Sequence, residues 1–317
     1  MEVLKIRPIA VDVKPWIGTI QIVMAAICWG TLGIFSTYLS QLGFSSWQIT
    51  ILRIITAAII AITMLPKIWK PLSRLILGQW FGLGLQSLIG VLGMTVCYLF
   101  AVLHVGAGTA VALLYTAPVF SLIFSHLLLD ERITYKAALL AVVAVIGVGM
   151  TTMGGTTEGK LGIAVGLLSG VCYSLYGVLG KRAMHHKHSA PLVFFTSILF
   201  SGIVLLFIPT TYTTYYKLIQ LPVISWIYVL GLSLVGTIAP FALYMKALEK
   251  LPATRASVFT IFEPLTAIFL AVLLLHQMLS GVQYIGVFLI LLVALLNGLT
   301  NSTNVQLPRW FRRQKLS

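Results

Sequence analysis

The sequence has 317 residues, of which 59% are hydrophobic and 9% are charged, and its formal net charge is +14. Because a water-soluble domain carries about a quarter charged residues, this composition excludes a soluble globular protein. The positive charge, taken alone, fits either nucleic-acid binding or a membrane protein with basic loops.

Apolar runs of membrane-spanning length follow one another along the whole chain. A hydrocarbon core about 30 Å thick needs roughly 20 apolar residues in a helix. Continuous apolarity, in place of alternation, excludes a β-barrel. The runs cover residues 17–39, 47–65, 76–102, 107–129, 135–153, 159–180, 191–208, 223–245, 255–275 and 282–299. We therefore predict an all-α membrane protein with ten transmembrane helices.

Lys and Arg residues indicate the orientation of these helices. Of the 21 Lys and Arg residues, all but Arg53, Lys160 and Lys217 lie in the two tails and in every second loop. Basic segments stay in the cytoplasm, so both termini are predicted to be cytoplasmic. This topology, together with contact with anionic lipid, accounts for the net charge. No nucleic-acid partner is expected.

The two halves of the chain resemble each other. Three matches occur in the same order: Ala26–Gly33 with Gly170–Gly177, Tyr98 with Tyr244, and Tyr115–Ser121 with Ile261–Ala267. The last match places Pro118 opposite Pro264. Five helices per half is an odd number, so the halves must be inverted, an arrangement found in secondary transporters. The predicted segments are a tail at 1–16, repeats at 17–153 and 159–299, an outer linker at 154–158 and a basic tail at 300–317.

Four motifs carry a family resemblance. They are Trp29-Gly30, Arg53 followed by small residues, the segment APVFSLIFSHLLLDER (Ala117–Arg132) and the segment FEPLTAIFLAVLLLHQ (Phe262–Gln277). Together they resemble the EamA-type ten-helix transporters of the drug/metabolite transporter superfamily, over residues 17–299. The family pattern usually ends the ninth helix in Gly-Glu, whereas this chain has His276-Gln277. The resemblance implies a bacterial inner-membrane carrier, often an exporter of amino acids or related metabolites.

Two charged side chains, Arg53 and Glu263, are predicted to lie well inside the helices. A charge in hydrocarbon is costly, and such residues usually face a partner or a water-filled space. Glu263 fits either a proton or substrate-amine site, or an anchor for the helix that Pro264 kinks. Arg53 fits either a structural contact with carbonyl groups or a substrate carboxylate.

Aromatic and hydroxyl residues suggest a binding site for a partly apolar solute, since their rings give contact and their tips give hydrogen bonds. Each of them alone fits packing or lipid contact as well. With Glu263, the candidate substrate-binding residues are Trp29, Tyr98, Tyr115, Tyr173, Tyr176, Thr237, Tyr244 and Thr260. The candidate bend points are Pro118, Pro240 and Pro264, because proline removes a helical hydrogen bond.

These features predict a secondary transporter, a monomer, that moves a small polar metabolite by alternating access, with Glu263 and Arg53 as candidate coupling residues and proton coupling left open. The alternatives are an intramembrane enzyme and a receptor or scaffold that transports nothing. Against an enzyme, Asp12 and Asp130 are both predicted outside the hydrocarbon, and no HExxH or GxSxG motif occurs. Neither a metal nor a cofactor is expected.

Overall fold

The computed structural model describes residues 15–151, 160–275 and 280–298, and across these residues the regular structure is entirely helical. The predicted all-α membrane fold is therefore confirmed. The predicted linker at 154–158 and the C-terminal tail at 300–317 lie outside the described residues, as does nearly all of the N-terminal tail.

In the first half, several spans are built from two helices joined by a break. The helices are α1 (Pro15–Gly30), α2 (Leu32–Gln41), α3 (Ser46–Ala61), α4 (Leu65–Leu72), α5 (Leu77–Ser87), α6 (Met94–Leu114), α7 (Ala117–Leu129) and α8 (Tyr135–Thr151). A π-helical segment, Leu88–Gly93, joins α5 to α6. Within α6 the chain leaves helical geometry at Gly106. Its φ is 78°, a positive value that glycine adopts without the steric cost that other residues have.

The second half repeats much of this pattern. Its helices are α9 (Lys160–His185), α10 (Ala190–Leu206), α11 (Pro209–Ile219), α12 (Ile224–Ser233), α13 (Ala239–Leu248), α14 (Ala253–Phe259), α15 (Phe262–Leu275) and α16 (Gly281–Gly298). A second π-helical segment, Leu234–Ile238, joins α12 to α13. It begins 146 residues after Leu88, the offset that also separates Pro118 from Pro264. The two halves thus share their irregularities as well as their motifs.

Seven helical segments of the described chain are long and apolar enough to cross a membrane. An eighth candidate is the pair α10 and α11, which bends by 93° where Pro209 begins α11. Two shorter apolar helices, Tyr135–Met150 and Gly281–Val293, fall below the spanning length. The described residues therefore contain seven or eight candidate spans, and the count of ten remains a prediction.

The helix ends follow local rules. Ser45 and Gln48 form a capping box at the start of α3, with Ser45 N donating to Gln48 Oε1 over 2.9 Å and Gln48 N donating to Ser45 Oγ over 3.3 Å. Helix α7 ends at Asp130, which adopts the left-handed conformation with φ 55°.

The interior is packed closely where α9 meets α5, α6, α10 and α13. The π-helical turn brings Gly90 so near Tyr176 that a Cβ on Gly90 would lie 2.6 Å from the Tyr176 Cβ. Beside it, Gln86 donates from Nε2 to the Tyr176 carbonyl over 3.3 Å, and Ser197 Oγ donates to Gln86 Oε1 over 2.6 Å. These buried polar contacts tie the two halves together at mid-helix.

Candidate functional site

Two helix breaks lie at matching places in the two halves. Between α6 and α7 the break falls at Tyr115 and Thr116, and the Thr116 hydroxyl donates to Leu113 O over 2.5 Å. Between α14 and α15 it falls at Thr260 and Ile261. There the Thr260 hydroxyl donates to the Ser257 carbonyl over 2.7 Å. Discontinuous helices free backbone groups inside a membrane protein, and transporters build binding sites at such points.

Each candidate proline follows a helix break or a π-helical segment. Pro118 is in the first turn of α7, and Pro264 is in the first turn of α15. Pro240 is in the first turn of α13, directly after the π-helical segment Leu234–Ile238. Proline is tolerated in a first turn because its missing N–H has no partner there. Pro118 and Pro264 therefore lie just after helix breaks, whereas Pro240 lies inside the helical span Ile224–Leu248, and the role of all three as bend points stays a prediction.

Glu263 occupies the first turn of α15, where its carboxylate faces the other half of the protein. Arg53, Tyr98, Tyr115 and Tyr173 all lie close enough to interact electrostatically with it. The Tyr115 hydroxyl lies against the carboxyl, but without a hydrogen bond of standard geometry. The placement at a helix N-terminus favours negative charge, since the helix dipole is positive there.

Arg53 is the cationic side of this arrangement. It comes from α3, and its backbone carbonyl accepts a hydrogen bond from Ser233 Oγ over 3.3 Å. Its side-chain Nε is buried without a hydrogen-bond partner. Arg53 and Glu263 both keep some accessible surface. A buried guanidinium nitrogen with no partner has a donor available for a ligand or water.

An aromatic cluster adjoins the carboxylate. The Trp29 ring centroid is 6.2 Å from that of Tyr173, 5.7 Å from that of Tyr244 and 5.2 Å from that of Phe241. Tyr176 lies 5.7 Å from Tyr244 and 5.2 Å from Phe241. These edge-to-face and tilted contacts are favourable for aromatic pairs. Tyr173 is common to both groups, so the cluster and the Glu263 surroundings are continuous.

The structure brings together eight of the nine predicted substrate-binding residues. Thr260 lies beside Tyr173 and three residues before Glu263. Thr237 is the exception, because no interaction links it to Glu263 or to the rings among the described residues, and its hydroxyl donates to the Leu232 carbonyl over 3.2 Å. In the part of the chain that is described, its hydrogen bond is therefore to the backbone and not to the aromatic cluster.

The sequence reading missed three groups of residues. Phe241 completes the aromatic cluster, and its place three residues before Tyr244 on α13 was an available signal. The second missed residue is Gln86, and the signal available for it was an amide side chain within an apolar run. The third group is Glu131 and Lys181, which are far apart in sequence. Lys181 Nζ lies 3.9 Å from Glu131 Oε1. No group of three potential metal ligands occurs among the described residues.

Comparison with known proteins places this arrangement in a family. The EamA-like transporter family matches residues 16–153 and matches again at 160–299. An uncharacterized transporter of Archaeoglobus fulgidus is 28% identical over 275 residues, covering 86% of this chain and 93% of its own. The uncharacterized inner membrane transporter YicL of Salmonella typhimurium is 24% identical over 283 residues, covering 86% and 92%.

Structural comparison agrees on the fold. One solved crystal structure superposes with a TM-score of 0.71 at 18% identity, covering 88% of this chain and 95% of its own. At that identity the likeness speaks for the fold alone. Two copies of one family across nearly the whole chain identify a multi-pass membrane transporter and not an enzyme. The chain belongs to the EamA-like transporter family.

Proposed function

We propose that this transporter is a secondary carrier, working as an exporter, that moves a small polar metabolite such as an amino acid or a derivative across the bacterial inner membrane. The observation that carries the proposal is the position of Glu263. It is an acid in the first turn after a helix break, with Arg53 and three tyrosines around it.

The chemistry of this site favours a solute with both polar and apolar parts. A carboxylate and a guanidinium can each pair with an opposite charge on a solute, and aromatic rings give contact area beside them. Because the pair comes from different halves of the chain, relative movement of the halves changes the site. We propose that alternating access by a monomer works in this way, with Glu263 carrying the coupled proton.

The proposal includes a complete topology. In this topology the seven long segments each form one span. The bent pair of α10 and α11 forms an eighth span, and the shorter helices α8 and α16 form the remaining two. The repeats at 17–153 and 159–299 are then inverted, and both termini lie in the cytoplasm. Support comes from the matching breaks in the two halves and from the distribution of Lys and Arg.

Cysteine labelling tests this topology. Single cysteines at Thr157 and Thr213, in a chain whose Cys28, Cys97 and Cys172 are replaced, are expected to react with an impermeant maleimide in intact cells. Thr213 is exposed on α11. A cysteine at Ser73, which is exposed in a basic loop on the opposite side in the proposed topology, serves as the matched control and should react only after lysis. Labelling of all three only after lysis would contradict the orientation.

Counterflow in proteoliposomes tests the function. A thermal-shift screen of metabolites selects a ligand, because a compound that binds the folded state raises apparent stability. Preloaded vesicles should then exchange that ligand at a saturable rate. Pro264→Ala should slow this exchange more than it weakens binding, since bending at the α14–α15 break accompanies the change of access. A ligand that binds but never exchanges in the wild type would support the receptor alternative.

A further inference from the structure

The loops rich in Lys and Arg lie at one end of the helices, which we call the basic end. A cluster of contacts at this end joins the two halves. Glu131 follows α7 directly. Its Oε1 accepts from Ala253 N over 3.0 Å, and its Oε2 accepts from Thr254 Oγ1 over 3.1 Å. The carboxylate from the first half therefore caps α14 of the second half, and its charge is favourable at that helix start.

Lys181 completes this cluster. Its Nζ lies 3.9 Å from Glu131 Oε1 and also donates to the Leu251 carbonyl, directly before α14. The two charged side chains are only 14% and 17% exposed. Removal of one partner from a largely buried pair leaves the other uncompensated, so such a pair is strongly coupled.

The same end of the bundle is closed by packing. Leu251, Ala253 and Ala256 are almost completely buried. A Cβ on Gly18 of α1 would lie 2.9 Å from Leu251 Cγ. Lys250 Nζ donates to Gln21 Oε1 of α1 over 3.1 Å. The basic end is therefore closed by buried contacts between α1 and the segment around Leu251.

The positions that the repeat relates to Glu131 and Lys181 lie at the other end, and neither carries a charge. The 146-residue offset relates Glu131 to Gln277, and the 144-residue offset of the first helices relates Lys181 to Thr37. The Thr37 hydroxyl donates within its own helix to the Gly33 carbonyl over 2.8 Å. Gln277 lies outside the described residues. An ion pair between these two positions is excluded by their residue types.

We propose that Glu131 and Lys181 form a latch that holds the basic end closed, and that the repeat-related positions at the other end, Gln277 and Thr37, form no such ion pair. The latch joins the first half to Leu251, Ala253 and Thr254 of the second. The basic end cannot open unless these contacts break. This inference rests on the proposed alternating access, and it names Glu131 and Lys181 as gating residues outside the substrate site.

Accessibility of a buried reporter measures the latch directly. Ser257 is buried on α14, one turn beyond Thr254. Ser257→Cys, with the native cysteines replaced, is labelled with an impermeant maleimide in inside-out vesicles. Labelling should be slow in the otherwise wild-type protein. Glu131→Gln and Lys181→Met should each raise the rate by at least about fivefold, in the range of ordinary coupling between sites. The double variant should add little beyond either one.

Glu249→Gln is the matched control. Glu249 Oε1 also accepts from the start of a helix, at Ala190 N over 3.1 Å, but both residues belong to the second half. This variant should leave the labelling rate unchanged. If it accelerates labelling as much as Glu131→Gln does, or if neither latch variant changes the rate, the proposal is wrong.

Two further measurements keep the outcome clear. If Glu131→Gln fails to fold, Thr254→Val is the substitute, because it removes a single hydroxyl donor to Glu131. It should also raise the labelling rate, by a smaller factor. The labelling assay needs no substrate. Faster labelling without detectable transport would therefore support the latch and count against the carrier function. Unchanged labelling with intact transport would overturn the latch alone.

Discussion

Glu263→Gln is expected to abolish accumulation driven by a pH gradient while counterflow of substrate continues. Glutamine keeps the shape of the side chain and much of its hydrogen bonding but has no titratable proton. Among the described residues, Glu263 is the acid that lies in the first turn after a helix break, with tyrosines around it. Coupling through an intramembrane carboxylate would run through it. Flux in proteoliposomes, with and without an imposed pH gradient, is the measurement.

Two comparison variants separate coupling from structure. Glu249→Gln changes an acid that caps α10 away from the site, so it should leave both flux measurements unchanged. Glu263→Leu should reduce stability as well as transport, because neighbouring polar groups would be left unpaired at about 1–3 kcal/mol. Gradient-driven uptake that survives in Glu263→Gln would refute the proton role. Loss of binding in that variant would instead indicate a cationic group on the substrate.

Gly30→Ala is expected to lower both thermal stability and transport. Gly30 ends α1 against the first turns of α15, where an added Cβ would lie 2.5 Å from Thr266 Cβ and 2.9 Å from the Glu263 carbonyl oxygen. Both distances are shorter than real contacts allow, and forced repacking costs about 1–3 kcal/mol. The displaced element is the turn that holds Glu263. The unfolding midpoint in detergent and the counterflow rate are the two measurements.

Gly33→Ala provides the control with the opposite sign. Gly33 lies one turn further along the same span, and a Cβ there would meet no atom within 4 Å. Alanine in a helix is favoured over glycine by roughly 0.5–1 kcal/mol, so this variant should be as stable as the wild type or more stable. Equal loss of stability in both variants would show that the close approach of α1 to α15 is not the reason why position 30 requires glycine.

Several features of this protein follow from the sequence without any structure. The scarcity of charge requires a lipid environment, and a lipid environment requires helices, because unpaired backbone groups are too costly in hydrocarbon. The repeat was visible in short segments that pair Pro118 with Pro264. Glu263 was identifiable for a simple reason: an acid in an apolar run must have a partner or a function.

Other features depended on the tertiary structure. Arg53 and Glu263 were separate candidates until α3 and α15 brought them near each other. Thr237 resembled its neighbours in sequence, yet its hydroxyl is used within its own helix. Glu131 lies outside the predicted apolar runs, but it caps a helix 122 residues further along the chain.

The reason for this division lies in the solvent. In water, polar residues mark the outer face of a helix, so periodicity reveals the buried face. In a bilayer the lipid-facing surface and the packed surface are both apolar, and helix association depends on close packing and a few polar contacts. The sequence therefore determines that the helices exist and which rare polar residues they carry. Only the packed structure decides which faces meet, and thus which residues form the site.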